Sequence, residues 1–101
     1  MDSYWKNGIK ANQVSENEGN NLSITYDGLL YTSGADTIYA YYGYGTRWTN
    51  KSIVKMAKTD NGFYTQIPLS KSGTMNMVFK DSAENWDNNS GENYSFVIKV
   101  K

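Results

Sequence analysis

Two segments of the 101-residue sequence are dense in aromatic and polar side chains, residues 41–50 (YYGYGTRWTN) and 80–94 (KDSAENWDNNSGENY). Exposed rings beside amide, carboxylate and ammonium groups suit a neutral sugar, because the C–H face of a pyranose packs on the ring while its hydroxyls form hydrogen bonds. Tyr and Trp make this contact at a low entropic cost, since each ring has only two side-chain torsions to fix. The alternative is that Trp48 and Trp86 are half-buried loop residues whose role is packing, and composition alone leaves both interpretations open.

The composition excludes most kinds of catalytic and metal site. The chain has no Cys and no His, which excludes disulfides, zinc sites, Cys/His or Ser/His nucleophiles and histidine acid–base catalysis. Ten Lys and Arg residues balance ten Asp and Glu residues, and the two signs are scattered along the chain. This pattern argues against a surface for nucleic acid or an anionic membrane, and no apolar run approaches the roughly 18 residues of a membrane-spanning helix.

The spacing of apolar residues predicts an all-β fold, an antiparallel immunoglobulin-like β-sandwich. Leu22, Ile24 and Tyr26 alternate with polar residues at the period of two that a half-buried strand shows. Turn pairs such as Asp27-Gly28 and Asn61-Gly62 separate six or seven such runs, and no helical period is visible.

The chain length predicts one domain. Residues 1–20 are polar and are expected to form an N-terminal arm or an extra edge segment. Residues 21–101 are expected to form the β-sandwich itself.

The alternation also predicts which side chains face outward, where a binding site would lie. In the run from Ile38 to Tyr42, Tyr39 and Tyr41 are expected to point outward, because their neighbours form the more apolar set, Ile38, Ala40 and Tyr42. In a later run an inward set is expected from Met75, Met77 and Phe79, which leaves the outer face to Asn76, Val78 and Lys80.

The nine residues Trp86 to Tyr94 (WDNNSGENY) resemble the WDNNxGxNY motif of starch- and glycogen-binding modules, the carbohydrate-binding module families 25, 21 and 53. The rest of the chain is similar to family 25 in order and spacing, over residues 22–98. The similar segments are Tyr42-Gly43, Trp48-Thr49-Asn50, Lys55-Met56, Gly62-Phe63-Tyr64 and Val78-Phe79-Lys80-Asp81. The resemblance implies a module that binds α-glucan (starch, glycogen or maltooligosaccharides) and has no catalytic activity of its own.

The resemblance also implies roles for individual residues. Trp48 and Trp86 are expected to be the aromatic platforms that cradle the curved face of an α-1,4-glucan. Asn88 and Asn93 match the amides of the motif that hydrogen-bond sugar hydroxyls. Further contacts are expected from Asn50, Asn89 and Lys80, with a solvated strand lysine as the alternative for Lys80. Asp87 either hydrogen-bonds a sugar hydroxyl in the same way or shapes the loop through an Asx turn.

Tyr41 departs from the family pattern. Members of family 25 often carry a histidine at this place, beside the equivalent of Tyr42-Gly43. A phenol replaces the imidazole as a hydrogen-bond partner and adds stacking area, so Tyr41 is included in the expected site.

Other interpretations of the same residues receive less support. The loop DNNSGEN lacks the carboxylate spacing of an EF-hand and offers only Asp87 and Glu92 to a cation, so no metal site is predicted. Carboxylates for glycoside hydrolysis would have to come from these two residues together with Asp81 and Glu84, in a fold that is expected to lack a deep cleft. The alternative function is a protein-interaction or glycogen-targeting module similar to a phosphatase regulatory subunit.

These inferences predict an α-1,4-glucan as the partner, with a tethered catalytic domain or partner enzyme beside it, and neither cofactor, nucleic acid nor membrane. Met1 is followed by polar residues, unlike a basic-then-apolar secretory leader. The expected location is the cytoplasm if the sequence is complete, and outside the cell if it is an excised module of a secreted amylase.

Overall fold

The computed structural model describes residues 4–6, 8–16, 19–69, 71–89 and 91–99. In chain order the elements are β1 (Tyr4–Lys6), β2 (Ile9–Glu16), β3 (Gly19–Tyr26), α1 (Leu29–Thr32), β4 (Ile38–Tyr44), β5 (Thr49–Lys55), β6 (Ala57–Thr59), β7 (Gly62–Leu69), β8 (Gly73–Asp81), β9 (Trp86–Asp87) and β10 (Tyr94–Ile98).

The strands form two antiparallel sheets. Sheet A has the order β1-β2-β3-β7-β6, and sheet B has the order β10-β8-β4-β5 with β9 paired to β8. The order β2-β3-β7-β6 opposite β10-β8-β4-β5 corresponds to strands A-B-E-D and G-F-C-C′ of an immunoglobulin domain. The prediction of an antiparallel immunoglobulin-like β-sandwich is therefore confirmed.

The core lies between the inner faces of the two sheets. In β3 the predicted alternation is present, since Leu22, Ile24 and Tyr26 are fully buried. Sheet B supplies a matching inner set from β4, β8 and β10: Ile38, Ala40, Met75, Met77, Phe79, Tyr94, Phe96 and Ile98. Each large apolar side chain that is fully buried in this way contributes roughly 1.5–3 kcal/mol to folding.

The polar N-terminal segment belongs to sheet A. β2 pairs with β3 along its whole length, from Ile9 opposite Tyr26 to Glu16 opposite Gly19. Ile9 and Ala11 are fully buried in the core. β1 and β2 thus lie at one edge of sheet A.

The structure also contains one helical turn, α1, which the sequence pattern did not indicate. This single turn begins after Gly28, and its hydrogen bonds include Thr32 N–H to Gly28 O at 3.0 Å. Leu30 is buried against the core, whereas Leu29 points to solvent with 59% of its surface exposed. One turn is too short to show a 3.6-residue period, which is why the pattern missed it. In the ranges that the structure covers, no helix has the length and apolar character needed to cross a membrane.

Candidate functional site

Tyr41 lies at the centre of the outer face of sheet B. Its strand, β4, runs between β5 and β8, and Tyr41 stands opposite Ile53 on one side and Val78 on the other. Val78 points outward, as predicted, yet only 7% of it is exposed. The side chains above it therefore cover it, and Val78 forms a floor beneath them.

Trp86 reaches the same face from the short strand β9. It pairs with Lys80 of β8, and 44% of its surface is exposed. The next residue, Asp87, points inward and is buried, because successive strand residues face opposite sides. Its carboxylate accepts hydrogen bonds from the hydroxyls of Tyr26 (2.7 Å) and Tyr94 (2.9 Å) and from the backbone N–H of Asn89 (3.3 Å). Asp87 therefore anchors Trp86 to the core and also makes the loop contact expected of an Asx turn.

Trp48 arrives from the turn that connects β4 to β5. Its backbone N–H donates to Gly45 O at 3.2 Å. Its φ of 53° is a left-handed conformation that costs a bulky residue about 1–2 kcal/mol. The backbone of Trp48 lies directly on Gly43: a Cβ at that glycine would come within 2.9 Å of the Cα and Cβ of Trp48. Only a residue without a side chain at position 43 permits this approach.

The rings of Tyr41, Trp48 and Trp86 form one group, which we call the aromatic triad. The centroid of Tyr41 lies 5.6 Å from that of Trp48 and 6.3 Å from that of Trp86. The ring planes are tilted by 53° and 50° respectively. The three rings are therefore not coplanar, and the triad does not form a flat platform.

The triad lines a depression of about 400 Å³, the central groove. Among the described residues, those that line it are Tyr41, Arg47, Trp48, Lys51, Val78, Trp86, Asn88 and Asn93. The structure thus brings together five of the eight predicted site residues and adds Arg47, Lys51 and Val78. Arg47 falls within the aromatic segment that stood out in the sequence, whereas no sequence signal distinguished Lys51 from other strand lysines.

The two amides of the central groove belong to one tight loop. Asn88 holds the loop through its Oδ1, which accepts the N–H of Gly91 at 3.0 Å, and through its backbone oxygen, which accepts the N–H of Asn93 at 2.8 Å. Asn89 donates its side-chain amide to Asn93 O at 2.9 Å. Asn89 therefore serves to shape the loop, while Asn88 and Asn93 line the groove.

Lys80 and Asn50 do not line the central groove. The Lys80 ammonium lies 5.6 Å from the ring centroid of Trp86 and 5.1 Å from that of Tyr39. It also donates to Asp81 O at 3.0 Å and lies 3.6 Å from a carboxylate oxygen of Glu84. Lys80 thus supports Trp86 from outside the groove, and Asn50 is exposed on β5 at a φ of 53°.

The segment between β8 and β9 is fixed by Asp81. Its carboxylate accepts the side-chain amide and the backbone N–H of Asn85, both at 2.9 Å, and the N–H of Ala83 at 2.9 Å. These hydrogen bonds, those of Asn85 foremost, lower the pKa of the Asp81 carboxyl below its ordinary value. An ionised Asp81 therefore holds the loop that leads into Trp86.

Comparison with known proteins gives two matches. Residues 22–79 match the starch/carbohydrate-binding module family 53, one of the three families that the motif at Trp86 resembles. Over 93 residues the chain is 34% identical to an alpha-amylase of Clostridium acetobutylicum, and this alignment covers 87% of the chain but 12% of the amylase. No solved structure matches the chain significantly. Trp86, Asn88 and Asn93 lie beyond the part that matches the family.

Proposed function

Because the chain belongs to the starch/carbohydrate-binding modules of family 53, we propose that its central groove binds an α-glucan and does so without catalysis. The proposal assigns sugar stacking to the aromatic triad and hydroxyl contacts to Asn88 and Asn93.

The tilt of the aromatic triad is the observation that carries the proposal. An α-1,4-linked glucan coils, so its successive rings present their C–H faces at changing angles. A β-1,4-linked glucan is a flat ribbon that is best matched by coplanar rings. Rings tilted by 53° and 50° about Tyr41 suit the coiled chain.

The polar residues of the central groove suit a neutral, hydroxyl-rich ligand. Asn88 and Asn93 bring amide groups that both donate and accept, and the cations Arg47 and Lys51 bring further donors. Such groups orient a sugar by hydrogen bonds, while the rings supply the apolar contact.

The positions of the carboxylates support a non-catalytic role. Hydrolysis of a glycosidic bond generally needs two carboxylates that flank the bond. Within the described part of the chain, none lines the central groove. Asp81 and Asp87 are committed to hydrogen bonds with their own loop and with the core, and Glu84 lies beside Lys80.

A module of this kind acts by proximity. The alpha-amylase that shares 34% identity with the chain is far longer than the aligned part, and we propose that the module serves a catalytic domain attached to it. Anchoring on a polymer raises the effective concentration of the tethered partner without any new chemistry.

Affinity electrophoresis tests the proposal directly, with amylopectin in one gel and a soluble cellulose derivative in the other. Wild-type protein is expected to be retarded by amylopectin only, and Trp86→Ala is expected to abolish most of the retardation. Val97→Ala is the matched control, because Val97 is also exposed on sheet B (63%) but lies outside the central groove. Retardation in neither gel would favour a protein-interaction module.

A further inference from the structure

A second groove lies on the far side of Trp86 from the central groove. It has a volume of about 560 Å³ and runs between α1 and the segment that connects β8 to β9; we call it the helix groove. Its lining includes Leu29, Asp36, Ser82 and Asn85. Trp86 belongs to both grooves and forms the ridge between them.

The two walls of the helix groove are held at a fixed separation. The hydroxyl of Tyr26 accepts the N–H of Leu30 in α1 at 3.0 Å and donates to Asp87 in β9 at 2.7 Å. The buried phenol of Tyr26 thus joins α1 to β9. The hydrogen bonds of Asp81 fix the segment between β8 and β9, which forms the rest of the second wall. A ligand would find the groove already formed, which lowers the entropic cost of binding.

The surface of the helix groove resembles the central groove in kind. Among the described residues, four large hydrophobic side chains are exposed, and two of them, Leu29 and Trp86, border this groove. Hydroxyl, amide and carboxylate groups lie around them, and the Asp36 side chain is 93% exposed although its carboxylate is 3.7 Å from the Lys58 ammonium. A sugar ring packs its C–H face on an apolar side chain, and its hydroxyls donate to acceptors around that contact.

We propose that the glucan bound in the central groove continues over Trp86 and that its next glucose units occupy the helix groove, with Leu29 as their apolar contact. This inference rests on the proposed function, because it extends the same ligand. Trp86 lines both grooves, so they adjoin at this residue, and a polymer has further units to place beyond it.

The opposite direction is less suited to a sugar. A third groove of about 350 Å³ shares Arg47 with the central groove. Its aromatic residue, Tyr44, is only 5% exposed, and the Lys71 ammonium lies 4.9 Å from the centroid of its ring. This ring is therefore not open to stacking, which favours the path over Trp86.

Titration calorimetry with maltotriose and maltoheptaose tests the path in three proteins: wild type, Leu29→Ser and Lys71→Ala. A longer sugar binds more tightly for the statistical reason that it offers more registers, so the informative quantity is the ratio of the two affinities. Leu29→Ser is expected to lower the affinity for maltoheptaose about three- to tenfold, as for the loss of one apolar contact, and to change that for maltotriose less than twofold. Lys71→Ala, the matched control, is expected to leave the ratio unchanged.

Other results overturn the inference. The helix groove is excluded as an extension if Leu29→Ser leaves the ratio of the maltoheptaose and maltotriose affinities unchanged, which includes an equal loss of affinity for both sugars. It is also excluded if Lys71→Ala lowers this ratio. Failure of wild-type protein to bind either sugar would instead refute the proposed function. Leu29 is largely exposed, so the variant is expected to fold, and thermal unfolding checks this.

Discussion

The hydroxyl of Tyr26 donates a 2.7 Å hydrogen bond to Oδ2 of Asp87, the residue that follows Trp86. Both residues are buried. Burial raises the pKa of the Tyr26 phenol far above its ordinary value, and the hydrogen bond to Asp87 raises it further. The phenol therefore remains a neutral donor, and through it the core of sheet A holds the exposed tryptophan of sheet B in place.

Replacing Tyr26 by Phe is expected to destabilise the fold, because it leaves the buried Asp87 oxygen and the Leu30 N–H without this partner. We expect the free energy of unfolding to fall by about 2–4 kcal/mol, measured by urea denaturation. Tyr64→Phe is the control, since the Tyr64 oxygen accepts a partly buried hydrogen bond from Ser23 at 3.3 Å, and the loss of this bond is expected to cost about 1 kcal/mol or less. Equal losses in the two variants would contradict the proposed anchoring.

Removing either indole ring of the aromatic triad is expected to weaken glucan binding while the fold survives. Trp86→Ala and Trp48→Ala are each expected to cost about 1–3 kcal/mol of binding free energy, by analogy with stacking of flat rings on exposed aromatics. Titration of wild-type protein with a maltooligosaccharide should also change its tryptophan fluorescence. If Trp86→Ala unfolds the domain, the ring is a packing residue and its role in the site is refuted.

Adding one methyl group at Gly43 is expected to displace Trp48. The Cβ of Gly43→Ala would lie 2.9 Å from backbone atoms of Trp48, so the turn must shift and the triad must open. A loss of maltooligosaccharide affinity of about tenfold is expected, with the thermal unfolding transition retained. Gly45→Asn serves as the control, because no atom lies within 4 Å of a Cβ at Gly45 and Asn tolerates its φ of 69°.

Affinity for a neutral glucan is expected to be constant between pH 5.5 and 8.5 and nearly independent of salt. The groups assigned to the ligand in the central groove are rings, amides and cations, with no carboxylate among the described residues there, and the chain has no histidine. The contribution of Asp81 to the free energy of unfolding is also constant in this range. Because its pKa is lowered in the folded state, this contribution is complete above about pH 3.9, the ordinary value for Asp, and is lost as the pH falls through the lower folded-state value. Calorimetry at pH 5.5, 7 and 8.5 measures the affinity, and a tenfold change would implicate a carboxylate in recognition.

Chelation of divalent cations is expected to leave glucan binding unchanged. Nothing in the central groove, as far as the structure describes it, offers a carboxylate to a cation, and Asp87 is turned into the core. Affinity electrophoresis in amylopectin with and without EDTA measures this. A loss of retardation that calcium restores would assign the 87–93 loop to metal binding.

The local pattern is sufficient to predict the sandwich and the side of β4 on which the candidate site lies. Alternation with a period of two placed Tyr41 outward and Met77 inward, and both positions follow from the strand geometry alone. Trp86 was found by resemblance of its motif.

Features that depend on contacts with residues far away in the chain could not be predicted from the local sequence pattern. Val78 is an outward residue that is buried because rings from two other segments cover it. Asn88 and Asn89 are adjacent amides in the sequence, yet Asn88 is exposed whereas Asn89 has a left-handed backbone and donates its amide to the backbone of Asn93. Arg47 gave no signal of its own, since a turn arginine is ordinarily solvated.

Tyr41 and Val78 belong to the two central strands of sheet B, each paired on both sides. Backbone amides in such strands exchange hydrogen with solvent mainly through openings close to global unfolding. A bound ligand raises the free energy of every such opening by the same amount, RT ln(1 + [L]/Kd). Slowed exchange would therefore spread evenly through the core strands instead of outlining the floor of the groove, and a local footprint of the sugar would appear only in the loops that carry Trp48 and Asn88.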